Sequence, residues 1–240
     1  SLKATQDSLT YFSNTLGPYP YKTVTVVVPP FNAGEAGGME YQTFFTAEGF
    51  AEVPKDSLAE YSLQFVNIHE FGHGYFYGLL GSNEFEEPML DEGLNEYWNQ
   101  RMLRERQQDM HVTTPLMRRI GIAPRLKVFD MERLAASVRD PADPLGFNSW
   151  DRLSSGSYST VYSRTATMMH DLEAHLGKAV TERAFKEYYA RWKFRHPSIA
   201  DLRETLAEVS GQRDLVERYF AQQVYGVRKI WRQLRREGFD

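Results

Sequence analysis

The chain has 240 residues, 42% of them hydrophobic and 25% charged, the balance of a folded globular protein rather than a disordered or fibrous one. Lys and Arg total 28 against 32 Asp and Glu, a net charge of −4, which leaves no global basic field for nucleic acid. Cysteine is absent, so disulfides, thiolate metal sites and Cys nucleophiles are excluded, and no apolar run approaches the roughly 18 residues of a membrane span.

The chain opens on Ser1 with no signal-like segment, and is expected to be cut from a longer parent with flanking domains. Leu2, Leu9, Phe12 and Leu16 recur at helical spacing and predict an amphipathic helix over 2–16, broken by Gly17-Pro18-Tyr19-Pro20. The wholly β-branched run at 23–28 predicts a buried strand. A glycine-rich loop at 34–38 leads to a second strand over 39–46. Ser57-Leu58-Ala59-Glu60 has capping-box spacing, and the helix behind it should reach about residue 80, where Gly81 stops it. Leu58, Tyr61, Phe65 and Ile68 would form its core stripe. Pro88 suits the first turn of a further helix over 88–106.

Between 107 and 155 the pattern weakens, with a short helix at 115–120 and a loop at 140–144. Helical periodicity returns over 158–176, 180–194, 198–209 and 213–225, with Gly177 and Gly211 as stops. The tail places Val227, Ile230, Trp231 and Leu234 on one face of a docked terminal helix. The order is α+β: a small β-containing lobe followed by a mostly helical one.

Chemistry concentrates in His69-Glu70-Phe71-Gly72-His73, an HExxH inside the predicted 57–80 helix. Residues four apart on a helix stand one turn above each other, so both imidazoles can reach one metal ion. Zinc takes nitrogen and oxygen ligands, and a catalytic site needs three protein ligands and one open position. Glu70, beside the first ligand, would face that position and take a proton from water there. Glu92 follows His73 after eighteen intervening residues and lies on the next predicted helix, which a tight connection would fold back over the two histidines. A first-turn acid favoured by the helix dipole explains Glu92 equally well, and the two roles are compatible. Glu86, Glu87 and Asp91 are all open as partners of the histidine N–H groups. His111, His170, His175 and His196 read as surface residues.

HExxH, eighteen residues and a Glu in Asp91-Glu92-Gly93 together resemble the signature of the M1 family of gluzincin metallopeptidases. Thermolysin-type endopeptidases have a separation one residue longer. Gly37-Gly38-Met39-Glu40-Tyr41 is similar to the family's GxMEN motif, with Tyr41 in place of Asn, about thirty residues before HExxH. Val161-Tyr162-Ser163-Arg164-Thr165 stands where the family has its (V/P)YEKG, with Glu-Lys-Gly not retained and Tyr158 as a competitor one turn earlier.

The resemblance covers nearly the whole chain and implies a thermolysin-like zincin catalytic domain. Residues 1–54 would be the β-containing lobe, 55–110 the zinc-binding helices and 111–240 the helical lobe. It implies one Zn2+ per chain held by His69, His73 and Glu92, with Glu70 as general base and Tyr162 as oxyanion donor. Gly37, Gly38, Met39 and Glu40 would bind a peptide substrate, Glu40 through its free α-amine. The expected activity is a metallo-aminopeptidase. An endopeptidase or epoxide-hydrolase-like enzyme on the same scaffold, or a non-catalytic metal-binding module, are the alternatives.

Overall fold

A computed structural model describes residues 1–226 apart from 112–113, 123, 139–142 and 153–154. The expected terminal helix bearing Val227, Ile230, Trp231 and Leu234, and most of the 140–144 loop, lie outside the described residues.

The β-branched and aromatic residues of the first fifty positions form a sheet of three-residue strands, β1 (Thr25–Val27), β2 (Met39–Tyr41) and β3 (Phe44–Thr46), ordered β1-β3-β2. Strand β1 is parallel to β3, and β2 is antiparallel to it. Residues 39–46 are therefore a hairpin and not the single strand expected from sequence. Gln42 and Thr43 reverse the chain, Thr43 at φ 62°, and set Tyr41 opposite Phe44. Nor is the run at 23–28 a buried strand: three of its residues pair, and Val27 and Val28 are 41% and 47% exposed. Alternation explains this, because Val26, Phe45 and Glu40 stand abreast on the inner face while Val27, Met39, Tyr41 and Phe44 share the outer one. A continuous β-branched run predicts a strand, but not how many of its faces are covered.

Helices α1 (Leu2–Thr15) and α2 (Leu58–Phe76) pack through aromatic rings, Phe12 lying 5.4 to 6.5 Å from Phe71, Tyr75 and Phe76. The Tyr75 hydroxyl donates to Gly17 O at 2.9 Å, which ties the break after α1 to the same helix. At the start of α2, Ser57 Oγ accepts from Glu60 N at 3.2 Å, but Glu60 returns its carboxylate to Asp56 N at 2.7 Å rather than to Ser57. The helix stops at Phe76, short of residue 80, since the Tyr77 and Gly78 amides both close on His73 O at 2.9 and 2.8 Å. Gly81 instead donates to Arg195 O at 2.9 Å. Of the expected stripe, Ile68 is buried and Tyr61 and Phe65 are half-buried, while Leu58 is 53% exposed. Leu58 opens α2 just after the exposed residues 51–56.

The expected helix over 88–106 is divided. Pro88–Leu90 is a 3₁₀ turn, Asp91 leaves helical geometry at φ −87° and ψ −84°, and α3 (Glu92–Glu105) follows. Helix α3 is buried from Gly93 to Leu103, lying against α2 on one side and α6 (Ser155–Leu176) on the other. Its Arg101 is fully buried, with Glu173 at 2.7 Å and Glu105 and Glu182 each at 3.4 Å answering the charge.

The weakly patterned segment holds two structures that sequence did not identify. Strands β4 (Met110–His111) and β5 (Arg125–Leu126) pair antiparallel, and α5 (Val128–Val138) packs on α6 and α3. Between the strands, α4 (Pro115–Arg119) falls close to the expected short helix. Helices α7 (Lys178–Trp192), α8 (Ile199–Ser210) and α9 (Arg213–Tyr219) complete the fold, α7 starting two residues early and α9 giving way to a π-helical turn at Phe220–Val224. No described helix is long and apolar enough to cross a membrane.

Candidate metal centre and active site

One turn apart on α2, His69 and His73 bring their Nε2 atoms to 3.1 Å from each other. Glu92, the first residue of α3, places Oε2 at 3.3 Å from His69 Nε2 and 3.4 Å from His73 Nε2. A tetrahedral ion with bonds of about 2.0–2.1 Å needs donors roughly 3.3–3.4 Å apart, so this triangle has the size zinc requires. The close approach of the two helices depends on Gly72, where a Cβ would stand 1.9 Å from Asn95 Oδ1. Asn95 donates from Nδ2 to His69 O at 2.8 Å and fixes the helices side by side.

The break at Asp91 lets consecutive side chains take opposite nitrogens of one ring. Asp91 Oδ1 lies 2.6 Å from His73 Nδ1, while Glu92 faces Nε2. Metal binding through Nε2 requires the proton on Nδ1, which is where Asp91 accepts it. Of the three acids left open by sequence, Asp91 is thus the partner. Glu87 accepts from Ile199 N at 3.0 Å at the start of α8, and Glu86 is exposed. Behind the other ring, His69 Nδ1 meets Glu96 Oε2 at 3.3 Å and the Asn99 side-chain amide at 3.0 Å. Sequence reasoning missed both. Their signal was positional: Glu92, Glu96 and Asn99 stand at i, i+4 and i+7 on one face of α3.

Electrostatics favour a cation. Burial opposes protonation of His69, but hydrogen bonds to Glu92 and Glu96 outweigh it and raise the ring to about 9. Burial likewise opposes a charged His73, and Asp91 and Glu92 lift it well above its ordinary value. Burial would raise Glu92, yet hydrogen bonds from both imidazoles hold it well below the usual carboxylate range. Counting Glu70, Asp91, Glu92 and Glu96, four carboxylates surround two imidazoles, a deficit of positive charge that a divalent ion would fill.

Glu70 is pushed up to about 7 by burial, against the pull of His69 and His73, and its Oε2 is buried without a hydrogen-bond partner. Its carboxylate rests on bare backbone: a Cβ at Gly38 would lie 2.1 Å from Glu70 Oε1. Glu40, on the inner face of β2, has a carboxylate oxygen within 4.8 Å of donor atoms of both Glu70 and His73. It also borders an open cleft of about 740 Å³ lined by Tyr41, Gln42, Tyr77 and His196. Tyr162 stacks against His69 with ring centroids 5.9 Å apart; burial first and the charge of Glu92 second raise its hydroxyl far above the ordinary phenol range. Tyr158 stands one ring further out, 6.3 Å from Tyr162.

The structure thus gathers His69, His73, Glu92, Glu70, Glu40, Gly38 and Tyr162 around one point. Met39 projects from the outer face of β2, 43% exposed, and Gly37 O accepts from Thr46 Oγ1 at 2.7 Å.

None of the curated proteins matches the chain in sequence. Among solved structures, a mutant form of an M1 zinc metallopeptidase from Deinococcus radiodurans is 19% identical with a TM-score of 0.68, over 93% of this chain and 44% of that one. Another form of that protein, bound to a Tyr-Ser-Ala substrate, is 18% identical with a TM-score of 0.66, over 92% of this chain and 43% of that one. Native yeast LTA4 hydrolase is 18% identical with a TM-score of 0.68, over 92% of this chain and 34% of that one. The chain therefore spans less than half the length of these structures. The Peptidase family M1 domain model matches residues 1–231, and the chain belongs to that family.

Proposed function

We propose that this chain carries the catalytic site of a zinc aminopeptidase that removes the first residue from peptides. The observation that carries the reading is a zinc-sized triangle of His69, His73 and Glu92 with two further carboxylates, Glu70 and Glu40, at its open side. When bound, zinc supplies Lewis acidity at the scissile carbonyl and makes water a stronger acid.

Glu70 takes the proton of the attacking water through its unpartnered buried oxygen and passes it to the leaving amine. Its raised proton affinity suits both halves of that task at neutral pH. Tyr162 donates its hydroxyl proton as a hydrogen bond to the oxygen that gains charge in the transition state. Its neutrality supports this role, since an ionised phenol could not donate. Glu40 pairs with the α-ammonium of the substrate, and β2, an edge strand, offers the segment from Gly37 to Met39 to the peptide backbone. A fixed carboxylate one residue's length from the scissile bond favours chain ends over internal bonds. Solved relatives bound to a tripeptide and to single amino acids are compatible with such a site.

Turnover of an aminoacyl chromophore, compared with its N-acetylated form, tests this reading. The free amine should be strongly preferred. Equal cleavage of both forms would replace the aminopeptidase with an endopeptidase.

A further inference from the structure

Beside Glu40 stands a carboxylate that the hydrolytic reaction does not use. Glu84, half-buried on the connection between α2 and α3, has an oxygen within 4.8 Å of carboxylate oxygens of both Glu40 and Asp91. Asp91 is answered by His73 Nδ1 at 2.6 Å. Among the described residues, no lysine or arginine pairs with Glu40 or Glu84. The α-ammonium of a peptide matches one of these two charges and leaves the other unmatched beside it. The adjoining cleft of about 740 Å³ is lined by Glu40 and by Ser82 and Asn83, the two residues before Glu84, and by no lysine or arginine. Ser82 is 8% exposed, yet its Oγ has no hydrogen-bond partner among the described residues, so a polar group is missing from this wall. His196 Nδ1 donates to Gly81 O at 2.8 Å, and the neutral ring keeps Nε2 as a further acceptor in the lining.

We propose that this cleft receives the side chain of the substrate's first residue, that the residue is lysine or arginine, and that Glu84 is the specificity-determining residue that pairs with its cation. Two carboxylates then meet two cations, Glu40 the α-ammonium and Glu84 the charge at the end of the side chain. The reach is right, because the four-carbon stem of lysine separates its two nitrogens by about 6 Å, and each nitrogen needs only to touch its own carboxylate. Tyr41 and Tyr77, 56% and 39% exposed in the cleft wall, offer rings to the apolar stem. A neutral first residue leaves Glu84 without its partner, and an acidic one adds a third negative charge, so both are disfavoured.

The inference rests on the aminopeptidase reading proposed above, and the test separates the two. Binding of L-lysinamide, L-norleucinamide and Nα-acetyl-L-lysinamide to the full chain is measured by isothermal titration calorimetry at neutral pH and low salt, for wild type and Glu84→Gln. Lysinamide and norleucinamide share a stem and differ by the side-chain charge, whereas the acetylated ligand keeps that charge and loses the α-ammonium. Wild type should bind lysinamide at least about tenfold more tightly than norleucinamide, and Glu84→Gln should shrink that ratio to within about threefold. The wild-type comparison needs no variant and stands even if Glu84→Gln does not fold. Equal binding of lysinamide and norleucinamide by wild type would overturn the inference, as would an unchanged ratio in Glu84→Gln or lysinamide binding weaker than about 10 mM. Acetylated lysinamide bound as tightly as lysinamide would instead overturn the aminopeptidase reading, since nothing would then read the free amine.

Discussion

The α2–α3 pair and the three-stranded sheet both bring a carboxylate to the same point, yet they hold it differently. Around Glu92, helix α3 is buried for eleven consecutive residues, Asn95 donates to the histidine-bearing helix, and the Asp91 and Glu96 carboxylates face its two imidazoles. Glu40 stands on a three-residue strand whose outer neighbours Met39 and Tyr41 are 43% and 56% exposed, held by hairpin register and by packing on α2. The proposed metal ligands are enclosed by buried helices, whereas the proposed substrate anchor Glu40 sits on a short strand with an exposed outer face. Changes in the helices should therefore register as chemistry, metal or stability, and changes in the sheet as substrate selectivity.

The largest expected effect on the helical side is Glu70→Gln. It keeps the shape and leaves zinc content unchanged, and kcat should fall by about 10³–10⁴-fold because an amide cannot accept the proton. Steady-state kinetics with metal analysis on the same sample checks both halves. Tyr162→Phe comes next, at roughly 10²–10³-fold in kcat with little change in KM, as for a donor used mainly in the transition state. If Tyr158→Phe shows that loss instead, the donor is one turn away from the residue that stacks on His69.

On the sheet side, Glu40→Gln should cost about 2–3 kcal/mol of transition-state binding, ~30–150-fold in kcat/KM, the lower range for breaking a buried charge pair. The preference for free over N-acetylated substrates should shrink with it. An unchanged preference would mean that something other than Glu40 reads the amine.

The smallest effect separates the two ends of α2. Ile68→Ala should destabilise the fold by about 2–5 kcal/mol in denaturant unfolding, and Leu58→Ala by under about 0.5 kcal/mol, because one is buried and the other is 53% exposed.

What was legible in the sequence follows the same division. HExxH on a helix fixes its own geometry, since an i,i+4 spacing has one spatial meaning, and Glu92 needed just one helix reversal to reach it. Asp91 was one of three choices because a 3₁₀ turn and a non-helical residue, which propensity does not encode, decide which acid turns inward. Glu96 and Asn99 stayed hidden because buried polar partners carry no composition signal; they are recognised by what they touch. The hairpin at 39–46 was missed since Gln42-Thr43 lacks the glycine that usually marks a tight reversal. Helix α5 was missed because its segment follows two short strands with no caps to separate it.

The central claim is that one zinc ion per chain is held by His69, His73 and Glu92. Equilibrium dialysis against buffered zinc, with bound metal counted by atomic absorption, tests it most directly on wild type and on Glu92→Ala, which removes one corner of the triangle. The account expects one ion per wild-type chain and less than about a tenth of that in Glu92→Ala at the same free zinc, since three ligands leave no redundancy. Equal metal content in the two proteins would contradict it.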